Sequence, residues 1–430
     1  MKRYLVGGAV RDALLGLPVV ERDWVVVGAT PEQMLAAGYR PVGKDFPVFL
    51  HPHTREEHAL ARTERKTGSG YRGFAVHTGE DVTLEQDLYR RDLTINAIAQ
   101  DEQGQLIDPH GGLRDLAARV LRHVSPAFAE DPVRILRVAR FAARLAPLGF
   151  GVAAETLQLM RRMVEAGEAD HLVPERVWKE TERALLGAAD SGPDYRPGVY
   201  FETLQECGAL ARVMPEVAAL AGVPQRAEFH PEVDTLVHTL MCVDAGARMG
   251  FALPVRVAAL LHDLGKAATP RDELPSHRRH EQRGLPLVER FSARLRLPNA
   301  QRELALAVTR DHLVVHRALE LRAAKLLELL ERLRAFQRGE FFEQALEACL
   351  CDARGRLGRE NRDYPPVPYL RTARAQAGAV QAAAVVADGF EGSAVGEELR
   401  RRRAAQLVRF VQEGRAAAAA AASSPAAPCD

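Results

Sequence analysis

Long apolar runs are missing from this 430-residue chain. None approaches the ~20 residues a helix needs to cross a bilayer, so no membrane partner is expected. Cysteine is scarce: Cys207, Cys242, Cys349, Cys351 and Cys429 are odd in number, and no pair has the spacing of a metal knuckle. A disulfide framework is thereby disfavoured, and reduced thiols in a cytoplasm are expected. Net charge is nearly absent at +1, so a nucleic-acid partner would need a local basic surface. The first residues, MKRYLVGGAVRD, lack the apolar core of a signal peptide. What remains is ordinary globular composition, 47% apolar and 27% charged, long enough for two to four domains.

The most informative stretch is YLVGGAVRDALLGLPVVERDWVVV, Tyr4 to Val27. It reads as strand, glycine turn, helix and second strand. Gly7 and Gly8 let the backbone approach a ligand closely, and the helix that follows offers its first amides to phosphate. Arg11 adds a positive charge. Glu21 and Asp23, two apart, share a face of the incoming strand. Two carboxylates on one face favour a cation between them, and Mg²⁺ with substrate phosphates suits that pattern. Either signal alone is common: Gly-Gly is usually a turn and an acidic pair usually a solvated strand start. In this order they point to a site for a nucleoside triphosphate and its metal.

Further along, Phe46 to His51 reads as a strand, and Ala61 to Phe74, with Arg62, Arg65, Lys66 and Arg72 around three glycines, as a mobile basic loop. Arg90, Arg91 and Asp92 are expected at the entry of an amphipathic helix, with Asn96 one turn from Asp92. Asp108 ends a strand, where a third carboxylate could approach the first two. Arg134, Arg137, Arg140 and Arg144 recur at steps of three and four, a one-sided stripe opposed by apolar residues. No acidic residue inside the stripe relieves their repulsion, so an anionic ligand explains them better than a solvated face. Asp131 lies one turn before Arg134 and could orient it. An arginine with an aspartate can match a base edge. Glu175, Arg176 and Glu180, after the helix-starting Pro174, read as pairs within one helix.

A second constellation contains His238, His262-Asp263, His277, His280, His312 and His316. Folding can gather such residues around a metal that activates water for phosphoester hydrolysis. The last ligand is open: Asp311, His312 or neither, which leaves the metal count open. Beyond residue 330 no clear site chemistry is legible. Arg400 to Arg403 read equally as a phosphate contact or a solvated helix. The alanine-rich residues 415–430 read as disordered.

The motifs YLVGGAVRD, ERDWVVVG, ARTERKTGSGY, RRDLTINA, DPHGGLRDL, EDPVRILRVARF, PERVWKE and HDLGK together resemble the bacterial tRNA nucleotidyltransferases that add CCA, in the multifunctional form with a C-terminal HD domain. The resemblance covers about residues 1–410. It implies an α+β fold: a nucleotidyltransferase palm with a small mixed sheet (1–138), a helical neck and body (139–225), an HD phosphohydrolase domain (226–330) and a helical tail region (331–414). Gly8 and Arg11 would hold the triphosphate. Glu21 and Asp23 would be catalytic and bind Mg²⁺. Arg91, Arg137 and Arg140 would contact the nucleotide. Asp131 and Arg134 would recognise CTP and ATP without a template. His238, His262 and Asp263 would hold a divalent transition metal such as Ni²⁺, for 2′,3′-cyclic phosphodiesterase, 2′-nucleotidase and phosphatase activities. The implied partners are the tRNA 3′ end, CTP and ATP, with a homodimer left open.

One position departs from the resemblance. Asp-x-Asp is usual at the metal pair, and this chain has Glu21-Arg22-Asp23. Two competing readings follow: a poly(A) polymerase, and an HD phosphohydrolase whose transferase half only binds tRNA.

Overall fold

The computed structural model describes residues 1–42, 48–66, 74–188 and 191–423. The chain divides into two compact units, Met1–Ala219 with Arg294–Arg296, and Leu220–Ala293 with Leu297–Asp430.

The first unit opens with β1 (Lys2–Val6), α1 (Gly8–Leu14) and β2 (Asp23–Val27). β1 and β2 are antiparallel, with Val6 opposite Asp23. Gly7, between β1 and α1, has φ +71°, a conformation that L side chains rarely adopt. α2 (Pro31–Ala36) starts at a reciprocal cap between Thr30 and Gln33. β3 (Arg40–Val42), β4 (Val48–Leu50) and β5 (Glu57–Leu60) extend the sheet beyond β2, and β5 runs parallel to β2 with Glu57 opposite Asp23. β6 (Arg62–Lys66) and β7 (Phe74–Thr78) form a separate antiparallel ribbon. α3 (Leu84–Tyr89), capped by Thr83 and Gln86, precedes β8 (Ala99–Gln100) and β9 (Leu106–Ile107). The seven-stranded mixed sheet has the order β3-β4-β5-β2-β1-β8-β9. Strand alternation places Val6 and Val25 in one core with Leu88 and Ala99. Val26 and Leu60 join Met34, Tyr39 and Phe49 in another.

Three local expectations change here. The stretch Ala61 to Phe74, expected as a loop, carries β6 and the first residue of β7, and its residues 67–73 lie outside the described residues, as do Phe46 and Pro47 of the strand expected over Phe46 to His51. No amphipathic helix follows Arg91. α3 ends at Tyr89, and only a single 3₁₀ turn, Thr94–Asn96, comes next. Asp108 does not approach the other carboxylates: it accepts hydrogen bonds from the amides of Gly112 (2.7 Å) and Leu113 (2.9 Å), capping the next helix. Its strand, β9, is the sheet edge, with β8 and β1 between it and β2.

That helix is α4 (Gly112–Ala118). β10 (Val120–Leu121) then pairs with β11 (Gly151–Val152) across α5 (Val133–Leu145). α6 (Ala154–Glu165), α7 (Pro174–Leu186), α8 (Gly198–Glu206), α9 (Ala209–Val213) and α10 (Pro215–Ala218) complete the unit. α5 buries Ile135, Leu136, Val138 and Ala142 and packs against α7 and α8.

The second unit is helical. α11 (Thr235–Arg248), α14 (Asn299–His316) and α16 (Gly339–Arg354) surround α12 (Leu253–Leu261). From Val255 to Leu261, α12 is buried on every side, the mark of a helix at the centre of a core. Its C-terminal end delivers His262 and Asp263 into that core. α13 (His280–Leu295) starts against the turn after them. A Cβ on Gly265 would lie 1.9 Å from the His280 carbonyl, so this glycine is what lets His280 come in. α15 (Ala323–Arg332), α17 (Pro366–Gly378), α18 (Ala382–Ala387) and α19 (Ser393–Ser423) follow. α19 carries residues 415–423, expected to be disordered, as continuous helix; alanine is the strongest helix former. Arg400 pairs with Glu331, and Arg401 and Arg402 with Glu398. Arg403 lies over the Phe336 ring at 4.1 Å.

Candidate functional site

In the first unit, the β1–β2 register brings the two halves of the opening motif together. Asp23, opposite Val6, stands beside the Gly7-Gly8 turn. Glu21 and Asp23 are both exposed. Crowding by protein around the Asp23 carboxyl raises its pKa; Arg91 opposes this and Glu21 adds to it. Arg91 reaches the same turn: a Cβ on Gly7 would sit 3.1 Å from its Nη1. It donates to Asp87 (3.1 Å) and to the Asn96 carbonyl (3.3 Å). A Cβ on Gly8 would lie 3.5 Å from an Arg11 nitrogen. Arg11 is only 2% exposed and donates to Asp12 (2.8 Å) and Asn96 Oδ1 (2.6 Å). It is therefore a buried support under the glycine turn, its pKa lowered by burial against the pull of Asp12.

The arginine stripe of α5 is relieved by acids that arrive from elsewhere in the chain. Arg137 donates to Asp92 (2.7 Å), Arg140 to Glu180 (2.6 Å) and Arg144 to Asp12 (2.9 Å). Arg134 donates to the carbonyls of Ala127 (2.7 Å) and Arg90 (2.6 Å). Asp131 caps the Val133 amide (3.0 Å) and accepts from Arg176 (3.1 Å). Its carboxylate pairs with Arg176. Thus Arg176 and Glu180 link α7 to the stripe, and Glu180 also pairs within its own helix with Arg183 (3.9 Å). The repulsion read from the sequence does not by itself require an anion. Phe141, not singled out in the sequence, sits under three guanidiniums: Arg11 at 4.9 Å, Arg137 at 5.6 Å and Arg140 at 4.5 Å. Asp92 is buried, which would raise its pKa; Arg137 and Asn96 override this and hold it well below the usual carboxylate range.

In the second unit, four imidazoles converge with their tautomers fixed. The Nδ1–H of His238 donates to the Gly355 carbonyl (3.1 Å), that of His262 to Ala259 (2.8 Å), that of His280 to His277 (2.8 Å) and that of His312 to Val308 (3.1 Å). A carbonyl only accepts, so each Nδ1 carries a proton, and Nε2 is the atom each neutral ring would offer a metal; Glu232, 2.9 Å from His238 Nδ1, is a second acceptor there. Those Nε2 atoms gather in two donor groups. His238, Cys242, His262 and Asp352 form one, and Asp263, His280 and His312 the other. In the second, the Nε2 atoms of His280 and His312 face each other at 3.2 Å. Two lone pairs at that distance repel unless a cation lies between them. Asp263 joins the groups: Oδ2 is 3.1 Å from His262 and Oδ1 is 3.2 Å from His280. His262 Nε2 and Asp263 Oδ1 are buried without a hydrogen-bond partner. Asp263 also pairs with Lys266 (2.6 Å). Converging nitrogen and carboxylate donors of this kind fit a divalent transition metal.

Asp311 accepts from Arg310 and Arg332, both at 2.9 Å, and stands in neither donor group, whereas His312 stands in the group with Asp263 and His280. The sequence reading missed Asp352, 3.2 Å from His238 Nε2, in a region that showed no site chemistry. Its signal was available: Phe342, Ala345, Cys349 and Asp352 fall at steps of three and four, so the acid sits on the buried face of α16. Burial opposes ionisation of Asp352, but Arg356 and His316 hold its pKa well below the ordinary value. A chain of contacts runs outward from it, through His316 Nε2 (2.5 Å) to Tyr364 (2.6 Å from His316 Nδ1). A cleft of about 890 Å³ opens beside these groups, lined by Lys266, Arg278, Arg317, Arg356, Arg359 and Arg362 among others. Among the described residues no helix is long and apolar enough to cross a membrane.

Residues 3–122 match the Poly A polymerase head domain and residues 235–335 the HD domain. The multifunctional CCA protein of Thioalkalivibrio sulfidiphilus is 61% identical over 413 residues, 96% of this chain and 99% of that protein. That of Alkalilimnicola ehrlichii is 60% identical over 408 residues, 95% and 97% of the two chains. The solved Thermotoga maritima CCA-adding enzyme complexed with tRNA shares the fold at a TM-score of 0.62 and 18% identity, covering 97% of this chain and 91% of that one.

Proposed function

The chain belongs to the family of multifunctional CCA proteins, and from that premise we propose that its first unit adds C, C and A to tRNA 3′ ends from CTP and ATP. No nucleic-acid template is used, and pyrophosphate is released. The observation that carries this reading is the β1–β2 register, which sets an exposed acidic pair beside a glycine turn and Arg91. Glu21 and Asp23 are hard oxygen donors whose mutual repulsion a cation would relieve, so they fit Mg²⁺. Bound there, Mg²⁺ would lower the pKa of the attacking 3′-hydroxyl and neutralise charge on the departing pyrophosphate. The chain's own residues do the positioning. Gly8 leaves room for phosphate, Arg91 faces it, and Arg11 braces the turn from below. Arg137 and Arg140, each held by an acid and by Phe141, contact the nucleotide. Asp131 and Arg134 read the base edge, and both are locked in place by their neighbours. Fixing those groups before the substrate arrives removes reorganisation from the reacting complex.

The second unit is the phosphohydrolase. His238, His262 and Asp263, joined by Asp352, would hold a divalent transition metal such as Ni²⁺, with His280 and His312 on the far side of Asp263. The metal supplies activated water for phosphoester cleavage. The cationic cleft receives the phosphate, and the 2′,3′-cyclic phosphodiester, the 2′-monoester and other phosphomonoesters are the substrates expected of it. A cytoplasmic location follows from the tRNA substrate.

The test is addition to a tRNA lacking its terminal CCA, with Mg²⁺ and CTP alone, ATP alone or both. Two C from CTP alone, and a final A only when both are supplied, is the expected result. Long A tails from ATP alone would instead identify a poly(A) polymerase, and no addition under any condition would overturn the transferase reading.

A further inference from the structure

We propose that Cys242 is a metal ligand of the HD centre, so that the site holds a thiolate beside its imidazoles and carboxylates and prefers thiophilic divalent ions. The inference rests on the reading of this centre as a metal site and goes beyond it in naming the donor. Cys242 follows His238 by four residues on α11, so both side chains leave the same face. A buried cysteine is ordinarily a small core residue. Three observations set this one apart.

The first is distance. Metal–ligand lengths of about 2.0–2.1 Å to nitrogen, 2.0–2.2 Å to oxygen and 2.3 Å to sulfur imply tetrahedral edges of about 3.4 Å for N···O and about 3.6 Å for N···S. His238 Nε2 is 3.2 Å from Asp352 Oδ1 and 3.5 Å from Cys242 Sγ. The four donors, His238, Cys242, His262 and Asp352, all lie within 4.8 Å of one another. The second is the buried His262 Nε2, 3.9 Å from Asp352 Oδ2, which makes no well-aligned hydrogen bond although Asp263 Oδ2 lies 3.1 Å away. The third is Gly355. A Cβ there would come within 2.6 Å of the Cys242 sulfur, so the end of α16 closes over the thiol only because the residue is glycine. The same glycine's carbonyl fixes the His238 tautomer. On metal entry the S–H bond breaks, the proton leaves to solvent and the sulfur lone pair forms the metal bond.

Cobalt reports this directly. The full-length protein is stripped with a chelator and titrated with Co²⁺, and a thiolate-to-cobalt charge-transfer band is sought in the near ultraviolet. Wild type should develop the band to a stoichiometric end point. Cys242→Ser should bind Co²⁺ without it, and Cys349→Ser should keep it. Cobalt bound without a charge-transfer band in wild type overturns the proposal, as does a band that survives in Cys242→Ser. Failure to take up any cobalt refutes both this proposal and the metal reading of the centre. Should Cys242→Ser lose its helical circular dichroism, cadmium NMR on wild type decides alone. A shift in the thiolate range supports sulfur ligation, and a shift typical of nitrogen and oxygen ligands overturns it.

Discussion

The two units keep their charges in opposite ways. In the first, Arg91 beside the acidic pair and the arginines of α5 already have partners: Asp87 for Arg91, Asp92 for Arg137, Glu180 for Arg140. The acidic pair itself lies exposed at the start of a strand. In the second, the donors are buried and lie against one another, His262 Nε2 3.1 Å from Asp263 Oδ2 and His280 Nε2 3.2 Å from Asp263 Oδ1. On the function proposed above, the first would take an ion that arrives with its nucleotide and the second an ion that stays, with burial deciding which.

The sharpest way to break this comparison is to remove one donor from each unit. Asp23→Ala should lower nucleotide addition by about 10²–10³-fold or more and leave phosphoester hydrolysis intact, while His262→Ala should do the converse. Parallel assays on truncated tRNA and on a 2′,3′-cyclic nucleotide would show it. Loss of both activities in either variant would mean that the sites do not act independently. Next in size is Asp352→Asn. Metal content after dialysis should fall by more than the about 10–100-fold typical of losing a group that merely orients a ligand. An unchanged metal affinity would remove Asp352 from the donor set.

A smaller effect tests the pairings of the first unit. Asp92, whose folded pKa is depressed, contributes stability that is fully present above the ordinary carboxylate pKa of about 3.9 and is lost as pH falls through its lower folded value. Asp92→Asn should therefore cost about 1–3 kcal/mol at neutral pH, in line with a lost charge-assisted bond to Arg137. The gap from wild type should begin to narrow below about pH 4 and close only as pH passes the lower folded value, because a protonated aspartate resembles asparagine. Urea unfolding at a series of pH values measures this, and a gap that stays constant with pH would contradict it. The smallest effect belongs to Glu21→Asp, which should change the rate of C addition by less than about tenfold, since a carboxylate at a strand edge can follow the ion through backbone and rotamer adjustment. Recovery of activity from an otherwise silent chain would show instead that the extra methylene cripples the metal pair.

Legibility in the sequence followed sequence distance. The strand–glycine–helix–strand opening was readable because its parts are adjacent and each has a local cause: φ at Gly7, apolar runs at β1 and β2, and a two-residue acidic spacing. The HD pair was readable at the end of an apolar helix. Asp108 was misread because a strand-ending acid caps a helix as readily as it binds a metal, and only the sheet order shows which. The partners of the α5 arginines were invisible, since Asp12, Asp92 and Glu180 come from 40 to 132 residues away. Asp352 carried a helical signal but lies beyond the HD match that ends at residue 335.

The Gly355 carbonyl that fixes His238 across 117 residues has a consequence for biogenesis. During synthesis the HD pair emerges long before α16 does. A nascent chain that ends between them has His262 and Asp263 but lacks Asp352 and the Gly355 carbonyl, leaving Glu232, 2.9 Å away, as the acceptor at His238 Nδ1. The proposed socket is unfinished however well the earlier helices have folded. With a metal bound there as proposed, tight loading would report that translation has passed residue 355 and that the last wall of the core has docked.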